Sequence, residues 1–386
     1  MGAFVVTDYL FRAAAEAGPH DILKLYNTKG NIINISPQLA PNSPHSCYKL
    51  EVVAADCNSE LLGSDLAVAL GFDLSSMEKS SLEVSEEVRQ YLKTPTFDNW
   101  QWEDAEIMVL LQVMYTDLDF ISTFNIELDV LQQFLYEVYR RYNNIPFHNF
   151  KHCFCVTQMM YGLIWLTDLR SKIDSVDLLI MLTSAVCHDL DHTGYNNAYQ
   201  INARTELALR CILATDMTRH TEILNKFKTI LPVFDFSNKD HRDVLMMIMI
   251  KVSDISNEAR PMDVAEPWLD CLLQEFFNQS DMEKLEGLPV TPFMDRDKVT
   301  KPSSQTGFIR FVLFPLFIEL ANLFPCLEQH IIDPVRKALD YYTEMEKALE
   351  REKQNRAQSE KMVKPSTSKE PEAHPEPGGT TKPVNL

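Results

Sequence analysis

From about residue 96 to residue 350 the apolar residues recur at the spacing of a helical face, segment after segment. "ELDVLQQFLYEVYRRY", "HCFCVTQMMYGLIWLTDL" and "DVLMMIMIKVSDI" are three such runs, and strand-like alternation almost vanishes between them. A chain patterned this way can bury its apolar faces only helix against helix. That predicts one compact, all-α, multi-helix domain over residues 96–350. The chain has 386 residues, 45% of them hydrophobic, which is ample for one large core or for one domain with a smaller partner.

The flanks read differently. In residues 1–95, "KGNIINIS" and "CYKLEVVAA" alternate like short strands, with the loop-like "APNSPHS" between them. A small mixed α/β or loosely ordered N-terminal region is expected there. Residues 351–386 are rich in Lys, Glu, Pro and Ser and hold almost no large apolar side chains. Such a tail cannot bury enough surface to offset its ordering entropy, so disorder is expected.

Charge and cysteine usage exclude several classes of function. The formal net charge of -19 is a poor match for nucleic-acid backbone or an anionic membrane. A small anionic substrate would bind only where local cations, such as bound metal ions, offset the field. None of the eight cysteines forms CxxC, which suits reduced thiols rather than a disulfide framework. No uninterrupted apolar stretch of about 18 residues is present, since Pro315 and Glu319 interrupt "FVLFPLFIELANLF". Val6 stands where an N-myristoylation motif wants Ser or Thr. A soluble cytoplasmic protein is expected, with no nucleic-acid partner and no membrane insertion.

The chemistry concentrates in a few places. "SAVCHDLDHTGYNN" closes an apolar run with His188, Asp189, Asp191 and His192. Buried charge is costly unless paired or bound to metal, and four such groups together would repel or neutralise one another without a cation. In "FHNFKHC", His148 and His152 lie four apart and so share a helical face. Asp254 interrupts the apolar helix of "MIKVSDISNEARP". Alone, either feature would read as incidental or as a satisfied core group. Together, His152, His188, Asp189 and Asp254 make a two-imidazole, two-carboxylate set that suits Zn2+ with positions left open. Asp189 could bridge to a second, harder ion, Mg2+ or Mn2+. Two metals at bridging distance hold a hydroxide and clamp an in-line displacement at phosphorus. His148, one turn from a ligand, suits a general acid that protonates the leaving oxygen. Metalloprotease logic fails, because no Glu occupies the second position of "HNFKH".

These residues also carry a resemblance. "FHNFKHCF", "CHDLDHTGYNNAYQINARTELA", "ATDM", "SDISNEARP" and "SSQTGFIRF", in this order, resemble the catalytic domain of class I 3',5'-cyclic-nucleotide phosphodiesterases. "AEPWLDCLLQEFF" and "EGLPVTPFMDRDKVTK" are most similar to the cGMP-specific type 9 group. The likeness spans roughly residues 95–345 and is weaker in the N-terminal region. It implies a compact helical domain that hydrolyses 3',5'-cyclic GMP to 5'-GMP with the metal set above and His148 as proton donor. It implies that His192 and Thr215 lie behind the ligands, near metal-bound waters. It supplies a base pocket as well: Gln305 reads the purine edge, Phe308 stacks on the base, and Asn257, Glu258, Leu272 and Phe276 line the walls. Type 9 members usually carry Tyr where Phe276 stands. Gln305 alone serves either purine, because its amide can flip.

The pattern breaks after Arg210. Members of the family carry two to three more helices before "ILATDM", including a "SPLENHH"-like motif whose Glu approaches the catalytic histidine. "CILATDMTRHTEI" offers no replacement, so loss of that carboxylate and exposure of apolar surface are expected. Two alternatives stay open. One is a catalytically impaired isoform that binds nucleotide or serves as a dimerisation partner, a homodimer being compatible with either reading. The other is a phosphohydrolase of the broader "HD" type, which would not need Gln305 and Phe308.

Overall fold

The computed structural model describes residues 22–26, 49–53, 84–202 and 217–363. The chain divides into two units, Met1–Asp73 and Leu74–Leu386. In the first, β1 (Ile22–Tyr26) pairs antiparallel with β2 (Lys49–Val53), Ile22 opposite Val53. β2 falls within "CYKLEVVAA" as expected. Its partner is "ILKLY", where Leu23 and Leu25 flank Lys24 in alternation; "KGNIINIS" and "APNSPHS" lie outside the described residues.

The second unit is helical among its described residues. Its principal helices are α1 (Glu86–Leu92), α2 (Asp104–Asp117), α3 (Leu128–Tyr139), α4 (Phe150–Leu166), α5 (Ser175–Cys187) and α6 (His220–Ile230). They continue with α7 (Lys239–Asp254), α8 (Met262–Glu286), α9 (Lys301–Phe308), α10 (Phe314–Leu323) and α11 (Asp333–Val363). Two boundaries differ from those expected. α1 lies ahead of residue 96. α11 runs past residue 350 to Val363, because its Glu, Lys, Arg, Gln and Ala are good helix formers and the first proline beyond residue 350 is Pro365.

α4 is buried nearly all round, from Phe150 to Ile164, which marks it as the central helix. It packs against α2, α5 and α7, and these neighbours bring the ionisable residues to one place. Asn149 caps α4, its side chain accepting from the His152 amide at 3.1 Å. After α7 the chain is tied back by the buried Arg260. Its guanidinium donates to the Phe97 carbonyl at 3.2 Å, to Gln158 Oε1 at 2.8 Å and to the Cys155 carbonyl at 2.8 Å. α8 ends on Gly287, whose φ of 68° lies in the left-handed region that glycine adopts without cost.

Lys301–Leu323 is long and apolar enough to cross a membrane by length and composition. Pro315 does not interrupt it. Pro315 sits in the first turn of α10, directly after a π-turn over Ile309–Leu313, and the helical path continues through both. Leu313, Leu316, Phe317 and Leu320 of this stretch are buried in the core. Away from the ionisable cluster, an open apolar groove of about 610 Å³ is lined by Tyr115, Val130, Phe134, Leu179 and Ile180. Val130 and Ile180 are about half exposed.

Candidate metal centre and active site

Three helix ends converge on one point. His152 comes from the first turn of α4, His188 caps the C-terminus of α5 with Asp189 next to it, and Asp254 is the last residue of α7. His188 Nε2 lies 3.3 Å from His152 Nε2, 3.1 Å from Asp189 Oδ2 and 3.4 Å from Asp254 Oδ1. His152 Nε2 lies 3.5 Å from Asp189 Oδ2 and 3.3 Å from Asp254 Oδ1. Ligands on a tetrahedron of radius about 2.0–2.2 Å stand roughly 3.3–3.6 Å apart, so the spacing fits one first-row divalent ion.

Hydrogen bonding supports the same fit. His188 Nδ1 lies 2.8 Å from the Ala185 carbonyl, which can only accept. Nδ1 therefore carries a proton, and Nε2, the nitrogen that a neutral imidazole would offer to a cation, faces the cluster. Asp189 Oδ2 is buried without a hydrogen-bond partner, an unusual cost for a carboxylate unless a cation meets it. Burial opposes ionisation of Asp189 and Asp254, yet the imidazoles of His188 and His152 outweigh it and hold both carboxyls well below the usual range. Burial likewise opposes charge on His188, and the carboxylates beside it reverse that. The imidazoles and carboxylates thus stabilise one another's charges.

Beside this set stands a second group, His148, His192 and Glu275. The rings of His148 and His192 stack at 4.0 Å between centroids. His148 Nδ1 is bonded to Glu275 Oε1, while Glu275 Oε2 accepts the amides of Phe147 at 2.9 Å and His148 at 3.2 Å. Burial disfavours the His148 cation, but the Glu275 hydrogen bond prevails and raises its pKa. Burial opposes ionisation of Glu275, and His148 overcomes it. For His192, burial and the neighbouring His148 pull the pKa down to about 4. The pair thus contains one imidazole disposed to carry a proton and one disposed to stay neutral.

Glu275 is a carboxylate partner of His148 that was not among the expected site residues, and it arrives from α8, far from His148 in sequence. A signal was present. Glu275 interrupts "LLQEFF" as Asp254 interrupts its own helix, an ionisable residue at a buried position.

The base-pocket candidates sit on three elements. Leu272 and Phe276 are one turn apart on α8, Gln305 and Phe308 one turn apart on α9, and Asn257 and Glu258 lie in a short 3-10 turn after α7. Gln305 is buried and its Oε1 has no hydrogen-bond partner. Burial lifts the Glu258 carboxyl to about 7. Phe276 meets Phe293 edge to face, centroids 6.0 Å apart. Among the described residues, no hydrogen bond or ring contact joins these six to one another. Thr215 and the junction after Arg210 lie outside the described residues. Cys153, Cys155, Cys187, Cys271 and Cys326 are free thiols.

The model of the 3'5'-cyclic nucleotide phosphodiesterase family matches residues 147–210 and 209–335. The chain is 53% identical over 308 residues to the high affinity cGMP-specific 3',5'-cyclic phosphodiesterase 9A of Drosophila melanogaster, covering 68% of this chain and 20% of that protein. It is 45% identical over 330 residues to the protein of the same name from Homo sapiens, covering 74% of this chain and 56% of the other. The chain therefore spans about a fifth to somewhat over half of the length of these relatives. Among solved structures, the phosphodiesterase domain of the RhoPDE fusion protein from the choanoflagellate Salpingoeca rosetta aligns with a TM-score of 0.64 and 26% identity. That alignment covers 71% of this chain and 99% of the other.

Proposed function

The chain belongs to the 3',5'-cyclic nucleotide phosphodiesterase family, and from that premise we propose that it hydrolyses 3',5'-cyclic GMP to 5'-GMP. The observation that carries the reading is the juxtaposition of a four-donor cation site with a protonatable histidine held by a buried carboxylate. His152, His188, Asp189 and Asp254 would hold the ion, and Asp189 is the carboxylate suited to reach a second one. Zn2+ fits the two-imidazole, two-carboxylate set, and Mg2+ or Mn2+ fits an oxygen-rich neighbour. Divalent ions bound there supply an activated water nucleophile and neutralise charge on the phosphoryl oxygens.

The remaining steps fall to the protein. Water oxygen bonds to phosphorus and gives up a proton to solvent as the bond from phosphorus to the ribose 3' oxygen breaks. His148 gives its proton to that departing oxygen, and Glu275 stabilises the imidazolium beforehand. His192, stacked against His148 and neutral, adds no competing positive charge. Gln305, with an unpartnered buried oxygen, suits the purine edge, and Phe308 suits stacking on the base.

The family match falls into two stretches that meet at residues 209–210, which supports the loss of a segment there. The impaired-isoform alternative is not favoured, because the donor residues on both sides of the junction converge and His148 keeps a carboxylate partner. The test is turnover of cGMP and cAMP by the purified chain supplied with Zn2+ and Mg2+, together with its metal content. Hydrolysis of cGMP above that of a His188→Ala control, with metal bound, is expected. A folded chain that matches the control overturns the reading.

The Glu275 contact makes a second prediction. A general acid must be protonated, so the rate falls as pH rises through the pKa of His148. Glu275 raises that pKa. Glu275→Gln removes the raising charge and is expected to shift the alkaline limb of the kcat/KM profile to lower pH. An unmoved limb with a lowered rate would show that Glu275 does not act through the His148 proton.

A further inference from the structure

We propose that residues 141–143, just beyond α3, form a strap that sets the position of Asp189, with Tyr142 and Asn143 as its positioning residues. Of the four donor residues, Asp189 lies farthest past the end of its helix. His152 and Asp254 are inside α4 and α7, and His188 caps α5. Something other than helical geometry must therefore hold the Asp189 backbone.

The strap supplies that hold from three consecutive residues. The buried Tyr142 hydroxyl donates to the Val186 carbonyl at 3.0 Å and accepts from the Asp189 amide at 3.2 Å. One oxygen thus joins a carbonyl in the last turn of α5, which has no partner inside the helix, to the amide of the adjacent donor. Cys153 Sγ also donates to the Val186 carbonyl, at 3.1 Å, from the central helix. The Arg141 carbonyl accepts from the Asp191 amide at 2.8 Å. The Asn143 amide donates to the His192 carbonyl at 2.8 Å and to Asp191 Oδ1 at 3.2 Å. Asp191 has a φ of 60°, a left-handed conformation that a non-glycine residue keeps only when its surroundings hold it. The loop from Asp189 to His192 is pinned at both ends, so the carboxylate is presented before any ion arrives.

This inference rests on the proposed metal-dependent function, and its test separates the two. Zn2+ and Mg2+ affinities of the full chain are measured by competition with a fluorescent chelator, for wild type, Tyr142→Phe and Asn143→Ala. Thermal unfolding of each is recorded alongside. Partners that orient metal ligands typically matter about 10- to 100-fold, and a loss of that size in ion affinity is expected for Tyr142→Phe. The kcat should fall at limiting metal and recover at raised metal, with the KM for cGMP unchanged. Asn143→Ala, at a partly exposed site, should show the same pattern if Tyr142→Phe fails to fold. Folded variants with wild-type ion affinity overturn the strap, even if their melting temperature drops. A wild-type chain that binds neither ion overturns the strap and the function together.

Discussion

Asp254→Ala is expected to reduce cGMP hydrolysis to the level of the buffer blank, with bound metal lost in parallel. Asp254 Oδ1 faces both imidazole donors, at 3.3 Å from His152 and 3.4 Å from His188. Its removal takes away one donor and half of the negative charge that pairs the site with a cation. Metal ions contribute several kcal/mol of transition-state stabilisation, so the loss should be about 10³-fold or more. Asp254→Asn separates charge from shape. It keeps the volume at the end of α7 but presents a neutral oxygen, and it should resemble the alanine variant in metal content. A folded Asp254→Ala protein within about tenfold of wild-type turnover would refute the assignment.

His148→Gln is expected to lower kcat by about 10²–10⁴-fold, the range of a positioned proton donor. Metal content and the KM for cGMP should stay close to wild type. His148 is none of the four converging donors, and its Nδ1 is engaged by Glu275. Leaving-group dependence makes the test sharper. A phosphodiester whose leaving oxygen departs without a proton, such as a nitrophenyl ester, should lose far less rate than cGMP. Equal losses on both substrates would mean that His148 acts by binding rather than by proton transfer.

The helical class was legible because the period of the apolar residues admits no other packing. The ionisable cluster was legible for a related reason. His188, Asp189 and Asp254 interrupt apolar runs, and a buried charge announces a partner. Glu275 sends the same signal, but nothing in the sequence ties it to His148, 127 residues earlier. The strap had no such signal. Tyr142 and Asn143 look like ordinary residues after a helix, and only the tertiary contact shows what their polar atoms meet. The reach of α11 to Val363 follows the helical preference of its residues and not their hydrophobicity, which is low.

α8 carries Glu275 between Leu272 and Phe276 on one continuous helix. The residue bonded to the proposed proton donor and the residues proposed to line the base pocket share one helix. They cannot be adjusted separately. A change at residue 276 that shifts the helix would carry the Glu275 carboxylate with it. Where a change of base preference moves α8, the alkaline limit of the rate should therefore move too, even with every ionisable residue retained.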